Sequence, residues 1–242
     1  MGKTCKDCIH GEDCGYLWAN DGDITCSDKC PDFTPFPRYF LFLTRSVRPT
    51  NIARIKDSLR ETFWQTDETK WRYIHELIVD KTNGERIFKG YGNLVDMRTN
   101  FRPVFRKDPA DIYMAEAIQN DVDYLAEFFP GDSYVYILDD DNELHPRFLD
   151  ICREIDGEDA IVFRVEGHPD WGNPGIMAGD AVGKIDWANF IVRLDVMKRL
   201  GVYDGGNSQQ CDGLFFDKML RAGCRIKYLD MELGYYNHLP KP

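Results

Sequence analysis

The sequence has no long hydrophobic run. Its longest apolar stretches are a handful of residues, such as Tyr39-Phe-Leu-Phe-Leu43, against the roughly 18–20 a membrane span needs. No transmembrane segment is expected. Positive charge is also in short supply: 30 Lys and Arg stand against 41 Asp and Glu, a net charge of −11 with a pI near 4.9. Such a chain repels polyanions at long range, which argues against a broad nucleic-acid-binding face. A phosphorylated ligand would need a local remedy, and a divalent cation is the direct one. The first residues hold no apolar stretch of the secretory kind, and Lys6 stands where a myristoylation signal takes Ser or Thr. The expected compartment is the reducing cytoplasm. Internal repeats and low-complexity tracts are missing too. What is present, over 242 residues, is 43% hydrophobic and 13% aromatic side chains. That excludes wholesale disorder and fits one main domain with a small appendage.

Aliphatic residues are scarce in residues 1–37, which are rich in Cys, Asp and Gly and end in Pro31, Pro35 and Pro37. This proline cluster marks a domain boundary, with a Cys-rich module over 1–37 and the main domain over 38–242. The module holds Cys5, Cys8, Cys14, Cys26 and Cys30 in the spacing C-x2-C-x5-C-x11-C-x3-C. Two close pairs, Cys5/Cys8 and Cys26/Cys30, can give four thiolates to a tetrahedral Zn²⁺, with Cys14 and His10 competing for a place. So short a segment cannot build a sufficient apolar core, and a structural zinc would supply its folding energy. A disulfide-bonded or redox-sensitive knot is the alternative, disfavoured by a reducing compartment.

From Arg38 onward the pattern alternates between strand and helix. Tyr39–Thr44 reads as a strand. Ile52, Ile55, Leu59 and Phe63 then recur at helical steps. Tyr73–Val79 is a second strand, and residues 81–108 are turn-rich without a clear period. Ala110–Phe128 reads as a helix, Ser133–Leu138 as a buried strand, and Pro146 as a helix start. Strands are expected at Asp159–Val165, Ala188–Arg193 and Arg225–Leu229, with a Gly- and Pro-rich loop over 167–183 and a short helix over Gly213–Ala222. The fold class is α/β.

The segment that carries chemistry is Tyr134-Val-Tyr-Ile-Leu-Asp139-Asp140-Asp141-Asn142-Glu143-Leu144-His145-Pro146. Ligands of α/β sheets bind outside the carboxyl ends of strands. Three consecutive carboxylates there can hold a hard cation such as Mg²⁺ or Mn²⁺ and leave positions open for phosphate oxygens. The alternative is a solvated acidic turn that caps the next helix. Asp212, after a Gly-, Asn-, Ser- and Gln-rich turn, reads alone as a helix N-cap. Trp187 is either a sugar-stacking or a core aromatic. Trp171, in the Gly/Pro loop, is better placed to touch an acceptor. Cys152, Cys211 and Cys224 read as small buried groups.

The strand ending in Asp139-Asp140-Asp141-Asn142 resembles the Asp-X-Asp segment of nucleotide-sugar-dependent glycosyltransferases of the GT-A fold, particularly the family 2 type. Further parts follow in the same order: Phe42-Leu-Thr44-Arg45 through Pro49, Leu77-Ile-Val-Asp80, the segment Gly183–Gly201 with Asp186 and Trp187, and Cys211-Asp212-Gly213 followed by Arg221-Ala-Gly223. The resemblance covers about residues 38–238. Cys211 stands where the family has Glu, and residues 81–108 match nothing in it.

The resemblance implies a mixed, mostly parallel sheet flanked by helices, and transfer of a sugar from a nucleoside-diphosphate sugar, UDP-linked by preference, to a hydroxyl acceptor. It places Thr44, Arg45, Asp80, Asp139 and Asp140 at the nucleotide, with Asp140 turned inward in a structural role. Asp141 would be the direct ligand of Mn²⁺ or Mg²⁺, with Asp139 nearer the ribose or bridging through water, and His238 returning onto the metal. Asp212 becomes the general base, which makes the transfer inverting, and Asp186, Trp187 and Trp171 line the acceptor side. A nucleotidyltransferase would use the same acidic site but should carry a Gly- and Lys-rich phosphate loop near the first strand, which this sequence lacks. A non-catalytic reader of sugars or partners is the third reading, kept open by Cys211.

Overall fold

The computed structural model describes residues 38–46, 51–64, 71–80, 99–104, 115–167, 185–202 and 211–236. The amino-terminal cysteines, Trp171 and His238 lie outside them.

The described residues are built on one eight-stranded sheet. Its strands are β1 (Arg38–Ser46), β2 (Trp71–Asp80), β3 (Thr99–Val104), β4 (Tyr134–Ile137), β5 (Glu143–Leu144), β6 (Ala160–Gly167), β7 (Phe190–Arg193) and β8 (Ile226–Tyr236). Their order is β3-β2-β1-β4-β7-β6-β8-β5. The first four run parallel, β7 runs against both of its neighbours, β6 and β8 are parallel to each other, and β5 is antiparallel at the edge. The described helices are α1 (Ile52–Trp64), α2 (Ala115–Phe128), α3 (Leu194–Leu200) and α4 (Cys211–Arg221), with 3-10 turns at Phe148–Arg153 and Trp187–Asn189.

Strand β4 and the Phe40–Leu43 stretch of β1 are apolar and buried because both faces of the sheet are covered there. Alternation along them sorts two cores. Phe40 and Phe42 of β1 and Tyr134 and Tyr136 of β4 face α1 and the Phe148 turn, where Ile52, Ile55, Leu59 and Phe63 pack. Leu41, Leu43, Val135 and Ile137 point the other way, onto Ile118, Val122 and Leu125 of α2 and Phe215, Phe216 and Met219 of α4. The first face is aromatic: Phe40 stacks on Trp71 at 4.5 Å and meets Phe148 edge-on at 5.3 Å. Its two tyrosines bring hydroxyls into an apolar layer, and each finds an acceptor. Tyr134 donates to the Glu158 carbonyl at 2.6 Å and Tyr136 to the Ala188 carbonyl at 2.9 Å. The fit is tight at Gly234, where an added Cβ would lie 3.0 Å from the Tyr136 hydroxyl and 3.2 Å from Val165.

Several expected boundaries move. The helix expected over Ala110–Phe128 is described from Ala115. The turn-rich 81–108 stretch contains β3, which pairs with β2 at one edge of the described sheet. Pro146 opens a 3-10 turn rather than an α-helix. The strand expected over Ala188–Arg193 starts at Phe190, because Trp187–Asn189 is wound into a 3-10 turn by the Asp186 cap. Helix α4 starts at Cys211 instead of Gly213, and β8 extends to Tyr236 instead of Leu229.

Candidate active site

The sheet register assembles the site. Leu43 pairs with Ile137 in the parallel β1–β4 ladder, and the Leu138 N–H donates to the Leu43 carbonyl at 2.9 Å, which prolongs it. Two residues beyond Leu43, Arg45 therefore comes alongside Asp139. Its Nε donates to Asp139 Oδ1 at 2.6 Å and its Nη2 to Oδ2, a two-pronged guanidinium–carboxylate pair. Burial works against the Arg45 charge, and Asp139 more than offsets it.

The acidic turn itself is fixed from below. The Asn142 N–H donates to the Asp139 carbonyl at 3.0 Å. Asn51, at the start of α1, donates from Nδ2 to the Asp140 carbonyl at 2.8 Å. Asp140 is 3% exposed, and Asp141 is half-buried on the turn. Thr44 is fully buried, with its hydroxyl hydrogen-bonded to His75 Nε2 at 2.9 Å. Asp80 ends β2.

Opposite the turn lies Asp186. Its Oδ1 accepts the Ala188 N–H at 2.9 Å, while Asn189 Oδ1 accepts the Asp186 N–H at 3.2 Å, a reciprocal capping box. Asn189 Nδ2 donates to the Phe163 carbonyl at 3.3 Å, so the turn is fastened to β6 as well as to Tyr136. Burial pushes the Asp186 carboxyl up to about 6, with Asp139 and Asp212 adding to the rise and the Ala188 N–H and Arg45 opposing it. The folded protein thus holds the Asp186 proton more tightly than the unfolded chain does. The stability this supplies is full below the ordinary value of 3.8 and is lost as pH rises through about 6. Asp186→Asn keeps the cap acceptor and removes the titration. Urea midpoints of the variant should show a flatter slope than wild type across that window, and equal slopes would contradict the assignment.

Asp212 completes the group. It sits in the first turn of α4 rather than at the N-cap position, and its Oδ1 accepts the Gly213 N–H at 2.7 Å. Burial raises its pKa and Asp139 adds to this, while the Gly213 N–H and Arg45 oppose it. Beside it, Cys211 Sγ accepts the Trp187 indole N–H at 3.5 Å. Burial pushes the thiol up, so at neutral pH it is a protonated, half-buried group. Trp187 is a core residue, with its ring 5.2 Å from Phe190 and 5.5 Å from Phe215. That is the core role of the two the sequence left open.

The described part of the site therefore joins one guanidinium, Arg45, to the carboxylates of Asp139, Asp186 and Asp212, with the Asp139 charge raising and the Arg45 charge lowering the pKa of both Asp186 and Asp212. Sequence reasoning had singled out all four but not the pairing of two of them. It missed the supporting residues Asn51, Tyr136 and Asn189. Tyr136 and Asn189 lie in apolar or capping contexts that give no functional signal alone. Among the described residues no group of three or more His, Cys, Asp or Glu side chains is arranged to hold a metal ion. No described helix is long and apolar enough to cross a membrane.

A central parallel block, helices on both faces and an acidic turn at the carboxyl end of β4 make this a GT-A-like fold. Among solved structures the chain is similar to a mannosyltransferase, PcManGT from Pyrobaculum calidifontis in complex with GDP-Man and Mn²⁺. The TM-score is 0.56 and the identity 14%, over 86% of this chain and 59% of that one. It is also similar to a 4-diphosphocytidyl-2C-methyl-D-erythritol synthase (TM-score 0.49, 9% identity, 81% and 90% covered) and to HddC from Yersinia pseudotuberculosis (TM-score 0.49, 11% identity, 84% and 95% covered). No protein-family model and no curated protein sequence matches the chain. Identities this low speak for the fold and not for the family 2 branch.

Proposed function

We propose that this chain is a glycosyltransferase that moves a sugar from a nucleoside-diphosphate sugar, UDP-linked by preference, to a hydroxyl acceptor with inversion. The observation that carries the reading is the pairing of Arg45 with Asp139 at the carboxyl ends of β1 and β4, with Asp186 before β7 and Asp212 at the start of α4 near enough to feel both charges. A guanidinium recognises phosphate, and buried carboxylates of raised pKa are suited to accept a proton. The mannosyltransferase of similar fold is complexed with GDP-Man and Mn²⁺.

The donor set fits a hard cation. Asp141 would offer an oxygen ligand on the turn, and Asp139 a second once released from Arg45; Mg²⁺-type ions are commonly held by one or two carboxylates plus substrate phosphates. A site of that kind does not need three protein ligands, and His238 remains an expectation outside the described residues. Such a cation, when bound, would stabilise the leaving diphosphate. Arg45 would contact the phosphates and Asp80 the base or ribose. Asp212 would take the acceptor proton, which leaves the sugar to be displaced in one step. Zinc on four of Cys5, Cys8, Cys14, Cys26 and Cys30, and a cytoplasmic location, are proposed with it.

The test is a panel of nucleoside-diphosphate sugars with and without Mn²⁺. A donor at about a hundred times its Kd should raise Tm by about 5–10 °C, and slow metal-dependent release of nucleoside diphosphate should follow. Release of pyrophosphate from a nucleoside triphosphate would instead identify nucleotidyl transfer. Binding without turnover would leave a sugar-reading module.

A further inference from the structure

The pair between Arg45 and Asp139 uses both oxygens of the carboxylate and two of the three guanidinium nitrogens. While it stands, a cation can approach Asp139 only against the Arg45 charge. A guanidinium fork accepts phosphate as readily as carboxylate, because the two present similarly spaced oxygens. We propose that Arg45 keeps Asp139 closed to cations until a diphosphate takes its place in the fork, so that cation and nucleotide enter the site together. This rests on the donor-binding reading above.

The surroundings suit an exchange made by side chains alone. The turn backbone is held independently by Asn51 on the Asp140 carbonyl and by Leu138 on β1, so Asp139 can be released without moving the turn. Arg45 would not be stranded on leaving it, since Asp186 and Asp212 also act on the guanidinium or feel its charge. Because coupling between two ligands is reciprocal, the nucleotide should tighten the cation by the same factor as the cation tightens the nucleotide. Arg45 acts here as a positioning residue for Asp139.

The experiment titrates Mn²⁺ by electron paramagnetic resonance into the full chain, alone and with saturating UDP or GDP, and repeats this with Arg45→Gln and Arg45→Lys. In wild type, the nucleotide should tighten Mn²⁺ by about tenfold or more. In R45Q, Mn²⁺ alone should bind about tenfold or more tighter than in wild type, since a charge-assisted pair no longer has to be broken. Lysine keeps the charge but not the two-pronged hold, so R45K should fall between the two. An R45Q protein that binds Mn²⁺ like wild type would overturn the proposal, as would equal wild-type Mn²⁺ affinity with and without bound nucleotide. If R45Q does not fold by circular dichroism, the wild-type comparison with and without nucleotide decides. Failure of UDP and GDP to bind under any condition is a separate outcome: it removes the donor reading and this inference with it.

Discussion

Asp212→Asn should lower sugar transfer by about 10²–10⁴, the usual contribution of a general base, and leave donor and Mn²⁺ affinity near wild type. The amide keeps an oxygen to accept the Gly213 N–H, which Asp212 Oδ1 now does at 2.7 Å, so the start of α4 should hold and stability should barely change. Burial has already raised the Asp212 pKa, which makes it a better proton acceptor than an exposed aspartate. Single-turnover transfer with donor saturated isolates the step. A near-wild-type rate would reduce Asp212 to a helix-start residue and move the search for the base to Asp186, whose carboxyl is pushed up to about 6.

The largest loss of stability is expected from Phe40→Ala. Phe40 is fully buried and meets Phe42, Phe63, Trp71, Tyr134 and Phe148 within 6.5 Å between ring centroids. Removing such a ring leaves a cavity the rigid β1–β4 ladder cannot close, and costs about 3–5 kcal/mol. Urea unfolding should show the midpoint fall with the slope unchanged. Phe128→Ala serves as the control, because Phe128 is 62% exposed and its loss should change stability by less than about 0.5 kcal/mol.

The central half of this architecture was readable from the residues because its signals are local. Phe40 to Leu43 and Tyr134 to Leu138 are continuous apolar runs, which strands covered on both faces require, and the carboxylates follow the second at once. Ile52, Ile55, Leu59 and Phe63 state their helix by spacing alone. Other elements lack such signals. Strand β5 is only Glu143–Leu144 and exists because β8 pairs with it. Helix α3, seven residues long, was not identified from the sequence, since Leu194, Val196 and Met197 are too few to define a period. The far end of β8 carries Asp230 and Glu232, outward-facing residues that interrupt the apolar pattern where the strand continues.

The site was legible by composition but not by arrangement. Asp139 stood out as a carboxylate at a strand end and Asp212 at a helix start, while Asp186 entered only through the family resemblance. That Arg45 would grip Asp139 depends on a register between strands far apart in the chain, and register is fixed by packing rather than by nearby residues. The position of Asp212 within α4 turned on a boundary two residues from the expected one.

The Arg45–Asp139 contact spans 94 residues of sequence, and Asp186 and Asp212 arrive later still along the chain. Strand β7, which delivers Asp186, must slot between β4 and β6, so the middle of the sheet cannot close until the chain is synthesised well past Phe190. Topologies dominated by such distant pairings fold slowly, because loop-closure entropy is spent before the contacts form. During synthesis, the apolar edge of β4 therefore waits uncovered for β7. A nascent chain that ends before Asp212 also lacks Phe215, Phe216 and Met219 of α4 and the β8 partner of β6, so part of one face of the sheet and one side of β6 stay open until the last thirty or so residues are made.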